Sequence, residues 1–469
     1  MSSPLDRGVA PAEPRIVIHG KQRLAGTVPV SGSKNAALAI LAGAILAESG
    51  ETTLRGLPRI GDIQTMAQVL RQLGVRVTFD EDGRTARLDA SQLDRCEAPA
   101  ELVAQMRASF WTLGPLLARL GRARIAQPGG CNIGARPIDL HLKGLAALGA
   151  HFDNEYGNVN GSVNGGLRSA HTYLDFPSVG ATMNIMMAAS LTPGVTTITN
   201  AAQEPDVEDL ANFLRCMGAD IIGHGTGTIT IRGVEKLHGC EYTVSTDRIE
   251  AGTLAAAVGV TGGDVFLEGA NPDHMRPILL KLTEAGMRFD ELEGGIRCIG
   301  PEGRPSATNI RAMPHPGFPT DMQQTLCSVL SLANGTSVVS DEVYENRFRF
   351  LTELAKMGAQ SQVNGRTAVI TGVARLTGAD VVATDLRAGA ALVVAGLAGE
   401  GRTRIFRTEH LDRGYERLTE KLRTLGAKIW REDEFGIPLD RDEDDVPVGD
   451  INQEVHHNGV AKKETVCSA

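Results

Sequence analysis

The sequence predicts an α/β protein of the α+β type, built from six copies of one unit that divide into two domains, with an acidic tail at the C-terminus. The chain has 469 residues, which is long for a single hydrophobic core. A pattern of amphipathic helix, glycine and strand recurs along most of it. The residues after about Trp430 lack that pattern and are mostly polar. These three observations define the expected fold class before any motif is considered.

The repeated unit begins with an amphipathic helix. In DIQTMAQVLRQLGVRVTF, residues 62–79, apolar side chains recur at the spacing of one helix face, a glycine follows, and an alternating strand comes next. A period of about 70 residues is too long for a solenoid repeat and holds two helices and several strands. Six units therefore predict two domains of three. The glycines that mark the units are Gly74, Gly149, Gly218, Gly286, Gly358 and Gly426.

The C-terminal segment carries most of the net charge of the chain. The formal net charge is −9, and residues 432–469 alone contain 11 acidic and 3 basic residues. The remaining chain is therefore nearly neutral, which argues against a general nucleic-acid surface. The segment contains Pro438 and Pro447 and has no hydrophobic periodicity, so we expect residues 433–469 to be disordered. A chain truncated after Trp430 should then remain stable.

The composition also limits where the protein is expected to work. The N-terminal residues are polar, and the longest apolar run, residues 36–47, is too short to span a bilayer. The seven cysteines are scattered and include no CxxC pair, which argues against a disulfide framework and a zinc site. We therefore expect a cytoplasmic protein without membrane contact, metal or resident cofactor.

Several charged side chains stand where turns or strand ends are expected. Lys34 follows VSGS and precedes an apolar helix, where its ammonium group can join helix N–H groups in an anion site. A solvated lysine is the commoner alternative. Asp321, in PGFPTDMQ, is either an ordinary first-turn acid or a general base facing a cleft. Further candidates, for which structural ion pairs are the alternative, are Arg107, Arg136, Arg347, Arg387 and Arg413.

One cysteine differs from the others in its surroundings. Cys131 lies in PGGCNIGARPIDLH, after two glycines and five residues before Arg136. A nearby cation lowers the pKa of a thiol, and glycines let a loop approach a ligand closely. An inert cysteine is the alternative. In DFPSVGATMN, Ser178, Val179 and Gly180 stand at a strand-to-helix turn, where their N–H groups can hold a phosphate or Ser178 simply caps the helix.

These stretches resemble the enolpyruvyl transferases of bacterial peptidoglycan synthesis that act on UDP-N-acetylglucosamine. The resemblance implies an inverse α/β barrel of two domains, each with three βαβαββ units, and a ligand cleft between them. One domain would comprise residues 1–33 and 246–432, the other residues 34–245, with crossings near Ser33 and Thr246. The similarity lies in motifs that follow the family order over roughly residues 15–432: VSGSKNAAL, MRASFWTLGPL, PGGCNIGARPIDLH, DFPSVGAT, PGFPTDMQ, ENRF, ATDLRAGA and DRGYERL.

The resemblance also implies a reaction. The enolpyruvyl group of phosphoenolpyruvate would pass to the 3-hydroxyl of the UDP-sugar by addition and then elimination of phosphate, the first committed step of peptidoglycan synthesis. Cys131 would deliver a proton at the enol carbon, and Asp321 would accept the proton of the sugar hydroxyl. The donor's phosphate would be held by Lys34, Arg136 and Arg413, and its carboxylate by Arg347 and Arg387.

The acceptor nucleotide would contact a second group of residues. The resemblance implies a uridine-binding strip and a diphosphate-binding loop, the latter formed by Ser178, Val179 and Gly180. The strip would consist of Arg136, Pro137, Ile138, Asp139 and Leu140, and the expected substrate-binding set is completed by Asn35, Arg107, Val343 and Tyr344.

The sequence departs from the family pattern in a few places. Tyr344 stands where Phe is usual, Met183 replaces a frequent Glu, and Leu254 and Ala255 replace a common aromatic residue. These departures leave open a simpler uridine nucleotide such as UMP as the acceptor, as in related enzymes of nucleoside-antibiotic pathways. A non-catalytic paralogue that binds a UDP-sugar is a further alternative, disfavoured because the candidate chemical groups are all present. The oligomeric state and fosfomycin sensitivity stay open.

Overall fold

The computed structural model describes residues 14–127 and 138–439. The strands are β1 (Arg15–His19), β2 (Ala25–Pro29), β3 (Ala47–Ser49), β4 (Thr52–Arg55), β5 (Arg76–Phe79), β6 (Ala86–Asp89), β7 (Arg122–Ala126), β8 (Ala150–Glu155), β9 (Asn158–Val163), β10 (His171–Tyr173), β11 (Val195–Thr199), β12 (Asp220–Ile222), β13 (Thr228–Arg232), β14 (Leu237–His238), β15 (Glu241–Thr243), β16 (Asp264–Glu268), β17 (Arg288–Leu292), β18 (Gly295–Ile299), β19 (Ile310–Ala312), β20 (Thr336–Asp341), β21 (Gln360–Asn364), β22 (Thr367–Thr371), β23 (Asp380–Val382), β24 (Arg402–Phe406) and β25 (Lys428–Glu432).

The α-helices alternate with these strands. They are α1 (Lys34–Gly43), α2 (Gly61–Gln72), α3 (Ala100–Gln105), α4 (Leu113–Leu120), α5 (Asp139–Ala147), α6 (Val179–Ala189), α7 (Pro205–Cys216), α8 (Arg248–Thr261), α9 (Pro272–Glu284), α10 (Thr320–Leu330), α11 (Leu351–Lys356), α12 (Leu386–Ala398), α13 (Glu409–Asp412) and α14 (Leu418–Thr424). Short 3-10 segments cover Ala44–Leu46 and Arg107–Thr112.

The strands form small sheets with one recurring topology. In each four-stranded sheet, a parallel pair is extended by two antiparallel strands. The sheet β23-β24-β1-β25 joins the N-terminal strand to two strands from the C-terminal end of the described chain. The other sheets have the orders β10-β11-β13-β12, β15-β4-β6-β5, β17-β18-β16-β2, β19-β20-β22-β21 and β7-β9-β8, with β14 paired to β3 alone.

The six repeat glycines occupy equivalent places. Each follows a helix and precedes an edge strand, and all have positive φ angles, between 92° at Gly358 and 106° at Gly218. Side chains with a Cβ are strained in this backbone region, so glycine is favoured at the turn. The repeat read from the sequence is therefore confirmed as a structural unit of helix, glycine turn and antiparallel strands.

The apolar core falls into two clusters. One is formed by residues within 36–244, the other by residues within 16–30 and 249–429. Helices α8, α10 and α12 pack on one another in the second cluster, and α12 is buried along its whole length. Helices thus lie inside and sheets outside, which is the expected inverse α/β barrel. Among the described residues, no helix is long and apolar enough to cross a membrane.

The chain passes between the two clusters twice, at adjacent places. Gly32 pairs with Thr246, the Ser33 N–H donates to the Ser245 carbonyl at 2.7 Å, and the Asp247 N–H donates to the Ser31 carbonyl at 2.8 Å. Two neighbouring strands of backbone therefore connect the halves. We propose that the domain boundaries lie at these crossings.

The ordered chain extends beyond the predicted start of the acidic tail. Strand β25 runs to Glu432, whose carboxylate lies 2.5 Å from Arg15 Nε in β1. Residues 433–439 then turn back, and the Leu439 N–H donates to the Arg431 carbonyl at 2.8 Å. The tail boundary at 433 is therefore too early, and a cut after Trp430 would remove part of β25. Residues 440–469 lie outside the described residues.

Candidate active site

Cationic and acidic side chains from both halves meet beside the crossings. Ser33 caps α1 by accepting from the Ala36 N–H, and Lys34 is the first helical residue. The buried Lys34 ammonium group lies 2.8 Å from Asp62 Oδ2. The other oxygen of Asp62 accepts from Arg413 Nε at 2.9 Å. Asp62, in the first turn of α2, therefore joins a lysine of one half to an arginine that follows α13 in the other.

Asp321, the second residue of α10, lies between two arginines. Arg347 Nη2 donates to its Oδ1 at 2.7 Å, and Arg387 donates to its Oδ2 from Nη2 at 2.9 Å and from Nε at 3.1 Å. Arg347 is 3% exposed and Arg387 is 4% exposed. Guanidinium groups this deeply buried need nearby negative charge, because their desolvation is costly. One carboxylate serves two of them here.

The two arginines are oriented by aromatic rings, yet they keep unused donors. The Arg347 guanidinium lies 4.9 Å from the Tyr344 ring centre and that of Arg387 5.4 Å from Tyr415. The Tyr415 hydroxyl is fixed by Thr253 Oγ1 at 3.0 Å. Arg347 Nε and Nη1 and Arg387 Nη1 are buried without a hydrogen-bond partner within the described part of the chain. Such donors are costly unless something accepts from them, so they indicate an anion-binding site.

The charges of neighbouring groups act on Lys34 and on Asp321. Burial lowers the pKa of Lys34 below its ordinary value, Asp62 opposes this shift, and the charges of Arg387 and Arg413 add to it. Burial by itself raises the pKa of Asp321, but the charges and hydrogen bonds of Arg387 and Arg347 hold that pKa well below its ordinary value. The two carboxylates and four cations therefore form one electrostatic unit.

The predicted nucleotide-binding residues lie at two neighbouring helix starts. Ile138, Asp139 and Leu140 open α5, which packs against α6. Ser178 caps α6, its hydroxyl accepting from Ala181 N, and Val179 and Gly180 form the first turn. Two adjacent helix N-termini present N–H groups and positive dipole ends, the usual setting for a phosphate.

Gly180 permits a close approach between these two helices. A Cβ atom there would lie 2.9 Å from His141 Nε2 and 3.0 Å from Trp111 Nε1. His141 Nδ1 lies 3.0 Å from the Asn184 side-chain amide, which also accepts from the Gly114 N–H at 2.7 Å. The first turn of α6 is thus supported by side chains that the sequence analysis did not select.

The remaining predicted residues are distributed around these two groups. Asn35 follows Lys34 in α1, and Arg107 begins the 3-10 segment that packs on α1. The N–H groups of Val343 and Tyr344 donate to Asp341 Oδ1 at 2.9 and 2.8 Å. Asp341 also accepts from Thr320 at 2.6 Å, which ties this segment to the start of α10. Three predicted residues, Cys131, Arg136 and Pro137, lie outside the described residues.

Two acidic residues that sequence reasoning missed complete the site. Asp62 looks in the sequence like an ordinary first-turn acid, favourable beside a helix dipole. Asp247 caps α8 through Oδ1, while its Oδ2 accepts from the Lys34 N–H at 3.1 Å. The segment around Asp247 was recognised as a crossing only. The signal that could have found Asp247 is that this cap of α8 lies at the crossing, beside the start of α1.

A further polar cluster lies across the same junction. The Glu204 carboxylate accepts from the His315 N–H at 3.1 Å, and Arg248 lies 3.6 Å from Asp206. Burial raises the pKa of Glu204, and it lowers that of His315 to about 4. Asp206 also accepts from the Ser33 hydroxyl at 2.7 Å, so this cluster adjoins Lys34.

Comparison with known proteins identifies the family. A family model described as EPSP synthase (3-phosphoshikimate 1-carboxyvinyltransferase) matches residues 18–422. A UDP-N-acetylglucosamine 1-carboxyvinyltransferase of Halalkalibacterium halodurans is 50% identical over 417 residues, covering 89% of this chain and 94% of that protein. This chain belongs to the enolpyruvyl transferase family. A second relative of the same name, from Caldanaerobacter subterraneus, is also 50% identical, over 89% of this chain and 99% of its own.

Solved structures of enolpyruvyl transferases share the fold. The enolpyruvyl transferase NikO from Streptomyces tendae superimposes with a TM-score of 0.82 at 30% identity, over 90% of this chain and 100% of that one. EPSP synthase from Acinetobacter baumannii gives a TM-score of 0.72 at 20% identity, over 90% and 100% of the two chains. The expected resemblance, fold class and transferase activity are therefore confirmed.

Proposed function

We propose that this enolpyruvyl transferase moves the enolpyruvyl group of phosphoenolpyruvate to the 3-hydroxyl of UDP-N-acetylglucosamine and releases phosphate. Relatives at 50% identity bear that activity in their names and are matched over 89% of this chain. The observation that carries the proposal is the set of buried guanidinium groups with unused donors around Asp321. The reaction is the first committed step of peptidoglycan synthesis, which would place the protein in the cytoplasm.

The donor is a small molecule with two anionic ends, and the site offers two cationic groups. Lys34 and Arg413, joined by Asp62, would bind its phosphate together with Arg136. Arg347 and Arg387 would bind its carboxylate, for which planar guanidinium groups are well suited. Holding both ends in a buried site lets fixed positive charge stabilise the charge that develops during addition and elimination.

Donor binding also explains how Asp321 can act as a base. A carboxylate held by two arginines has a depressed pKa and accepts protons poorly. The carboxylate of phosphoenolpyruvate is the same kind of ligand, and it would compete with Asp321 for Arg347 and Arg387. Partial release of Asp321 would raise its pKa and leave an oxygen free to accept a proton. The base would thus become active only when the donor is in place.

The chemical steps then follow. The oxygen of the acceptor's 3-hydroxyl attacks C2 of the donor as its proton passes to Asp321, and C3 gains a proton from Cys131, giving a tetrahedral ketal. The Cys131 thiolate then takes a proton back from C3 as the C2–O bond to phosphate breaks, which regenerates the double bond on the new ether. The departing phosphate carries away the proton that Asp321 accepted. Cys131 lies outside the described residues, so its role rests on the loop motif in which it occurs.

The acceptor would lie between the two halves. Its diphosphate would contact the first turn of α6 at Ser178, Val179 and Gly180, and its uridine the start of α5 with Arg136 and Pro137. Asn35, Arg107, Val343 and Tyr344 would line the sugar. UMP has no sugar beyond its ribose, so it would not contact these four residues. The choice of acceptor is therefore tested first.

The test is phosphate release by the full chain with phosphoenolpyruvate and either UDP-N-acetylglucosamine or UMP. We expect release that requires the UDP-sugar, with little or none from UMP. Faster phosphate release with UMP than with the UDP-sugar would show that the proposed acceptor is wrong. No phosphate release with either nucleotide would favour a non-catalytic binding protein. Asp321→Asn is the matched variant: it should still bind the UDP-sugar but lose nearly all turnover. Near-normal turnover in that variant would remove Asp321 from the role of base.

A further inference from the structure

Two cysteines that are distant in sequence adjoin on the surface of the first half. Cys216 is the last residue of α7, and Cys240 immediately precedes β15. The Cys216 thiol lies 3.5 Å from the carbonyl oxygen of Glu241, the residue after Cys240. Helix α7 therefore ends beside the backbone that carries Cys240. The sequence does not indicate this pair by a CxxC spacing, because the fold brings the two residues together from distant positions.

The contact is held in place on both sides. Before Cys240, the His238 N–H donates to the Met217 carbonyl at 3.1 Å. After it, the Tyr242 hydroxyl donates to Asp209 Oδ1 at 2.5 Å. Helix α7 and the segment 237–242 are therefore bonded at positions that flank the sulfur atoms.

The two sulfurs differ in access. Cys216 is exposed and Cys240 is half-buried, whereas Cys298 and Cys327 are buried. An oxidant from solution can therefore reach Cys216 first. Cys240 is placed to act second, as the residue that resolves a modification on its neighbour.

We propose that Cys216 and Cys240 form a redox-modification site that a small disulfide oxidant such as glutathione disulfide converts to an intramolecular disulfide. The Cys216 thiolate attacks one sulfur of glutathione disulfide, the S–S bond breaks, and one glutathione leaves. The Cys240 thiolate then attacks Cys216 Sγ and expels the second glutathione. The protein loses two electrons and two protons, and glutathione disulfide is reduced to two glutathione molecules.

The second step should depend on pH. Burial, together with the neighbouring Cys216, raises the pKa of Cys240 to about 12, so this thiol stays protonated near neutrality. Because only the thiolate attacks, ring closure should be slower than the first step and should accelerate as pH rises from 7 to 9. The linked peptides report the modification directly, so it can be measured without an activity assay.

The experiment treats the full chain with glutathione disulfide at pH 8.5, alkylates the remaining thiols, and maps peptides without reduction. We expect one linked species that joins the peptides of Cys216 and Cys240 and disappears on reduction. Glutathione retained on Cys216 with Cys240 alkylated would overturn the proposal. So would a link from either residue to any other cysteine, or the absence of reaction at both.

Single substitutions separate the two steps. Cys240→Ser should stop at one glutathione on Cys216, and Cys216→Ser should give neither the adduct at that position nor the link. Cys96→Ser is the matched control, since Cys96 is a partly exposed cysteine elsewhere in the same half, and it should form the link as the parent does. Loss of the link in the control would contradict the assignment. The peptide map of the parent decides the matter if a variant fails to fold.

Discussion

Replacing Asp62 with Asn should move the alkaline limit of activity. Asp62 contacts Lys34 Nζ at 2.8 Å and Arg413 Nε at 2.9 Å. Arg413 has a side chain that is 44% exposed, so solvent screens its pair, whereas Lys34 is 11% exposed and depends on Asp62 for its charge. In the D62N variant, burial and the nearby arginines would lower the pKa of Lys34 with no carboxylate to oppose them.

The size of the change can be worked from that contact. A hydrogen bond between charged groups contributes about 1.5–3 kcal/mol, and each pKa unit corresponds to about 1.4 kcal/mol. The pKa of Lys34 should therefore fall further below its ordinary value in D62N. Protonated Lys34 is the form that binds the donor's phosphate, so activity should be lost at correspondingly lower pH. The free energy of unfolding should also fall, by about 3 kcal/mol, because a buried cation loses its partner.

The assay is kcat/KM for phosphoenolpyruvate from pH 6 to 10, measured by phosphate release, with thermal unfolding of the same samples. Asp209→Asn is the control, since Asp209 is a buried carboxylate that binds Tyr242 and Ser245 instead of Lys34. Asp209→Asn should lower the free energy of unfolding without moving the pH at which kcat/KM declines on the alkaline side. A folded D62N protein whose alkaline limb coincides with that of the parent would refute the account of Lys34.

Three further outcomes are expected. Fosfomycin should alkylate Cys131, and intact-mass and peptide analysis showing no adduct, or an adduct elsewhere, would count against the loop assignment. A chain ending at Leu439 should unfold within about 0.5 kcal/mol of the full chain, whereas one ending at Trp430 should lose several kcal/mol because β25 is cut; equal melting temperatures would contradict this. The ion pairs of Asp321 stabilise the fold fully above the ordinary carboxyl pKa, and that stabilisation is lost as pH falls below it. The free energy of unfolding of the parent should therefore decrease as pH falls from 4 to 2. In Asp321→Asn, the slope of this decrease should be smaller by up to about 1.4 kcal/mol per pH unit.

The repeated unit could be read from the sequence because its signals are local. An amphipathic stripe, a glycine and an alternating strand occupy fewer than 20 residues or so, and periodicity detects them. The pairing of β1 with β24 and β25 could not be read, because it joins residues such as Ile16 and Ile405 across almost the whole chain. Nothing in strand composition specifies such a partner.

The tail shows how composition can mislead at a boundary. The segment from Glu432 onward is rich in acidic residues, and a charge density of this kind is typical of a disordered segment that stays in solvent. A single partner overrides that tendency, since Arg15 in β1 pairs with Glu432 and holds the end of β25 in the sheet. Residues 433–439 then turn back on this strand through the Leu439 N–H, which donates to the Arg431 carbonyl, and composition does not indicate that contact.

The site was predictable in its cations and in Asp321, but not in Asp62 and Asp247. The candidates Lys34, Arg347, Arg387 and Arg413 stand at expected turns or strand ends, and the resemblance to a known family favours a functional role for them. On local sequence alone each had an ordinary alternative. Asp62 had no distinguishing signal, because an acid in a first helical turn is common. Its role appears only when α2 is placed beside α1 and the arginine after α13.

In the proposed mechanism, the arginines that hold Asp321 exchange it for the donor's carboxylate. The most direct measurement is a crystal structure with phosphoenolpyruvate and a 3-deoxy analogue of UDP-N-acetylglucosamine, which cannot react. We predict that the Arg347 and Arg387 guanidinium groups contact the donor's carboxylate, with Asp321 turned toward C3 of the sugar. Both arginines remaining on Asp321 as in this structure, at 2.7 and 2.9 Å, with the donor bound elsewhere, would contradict it.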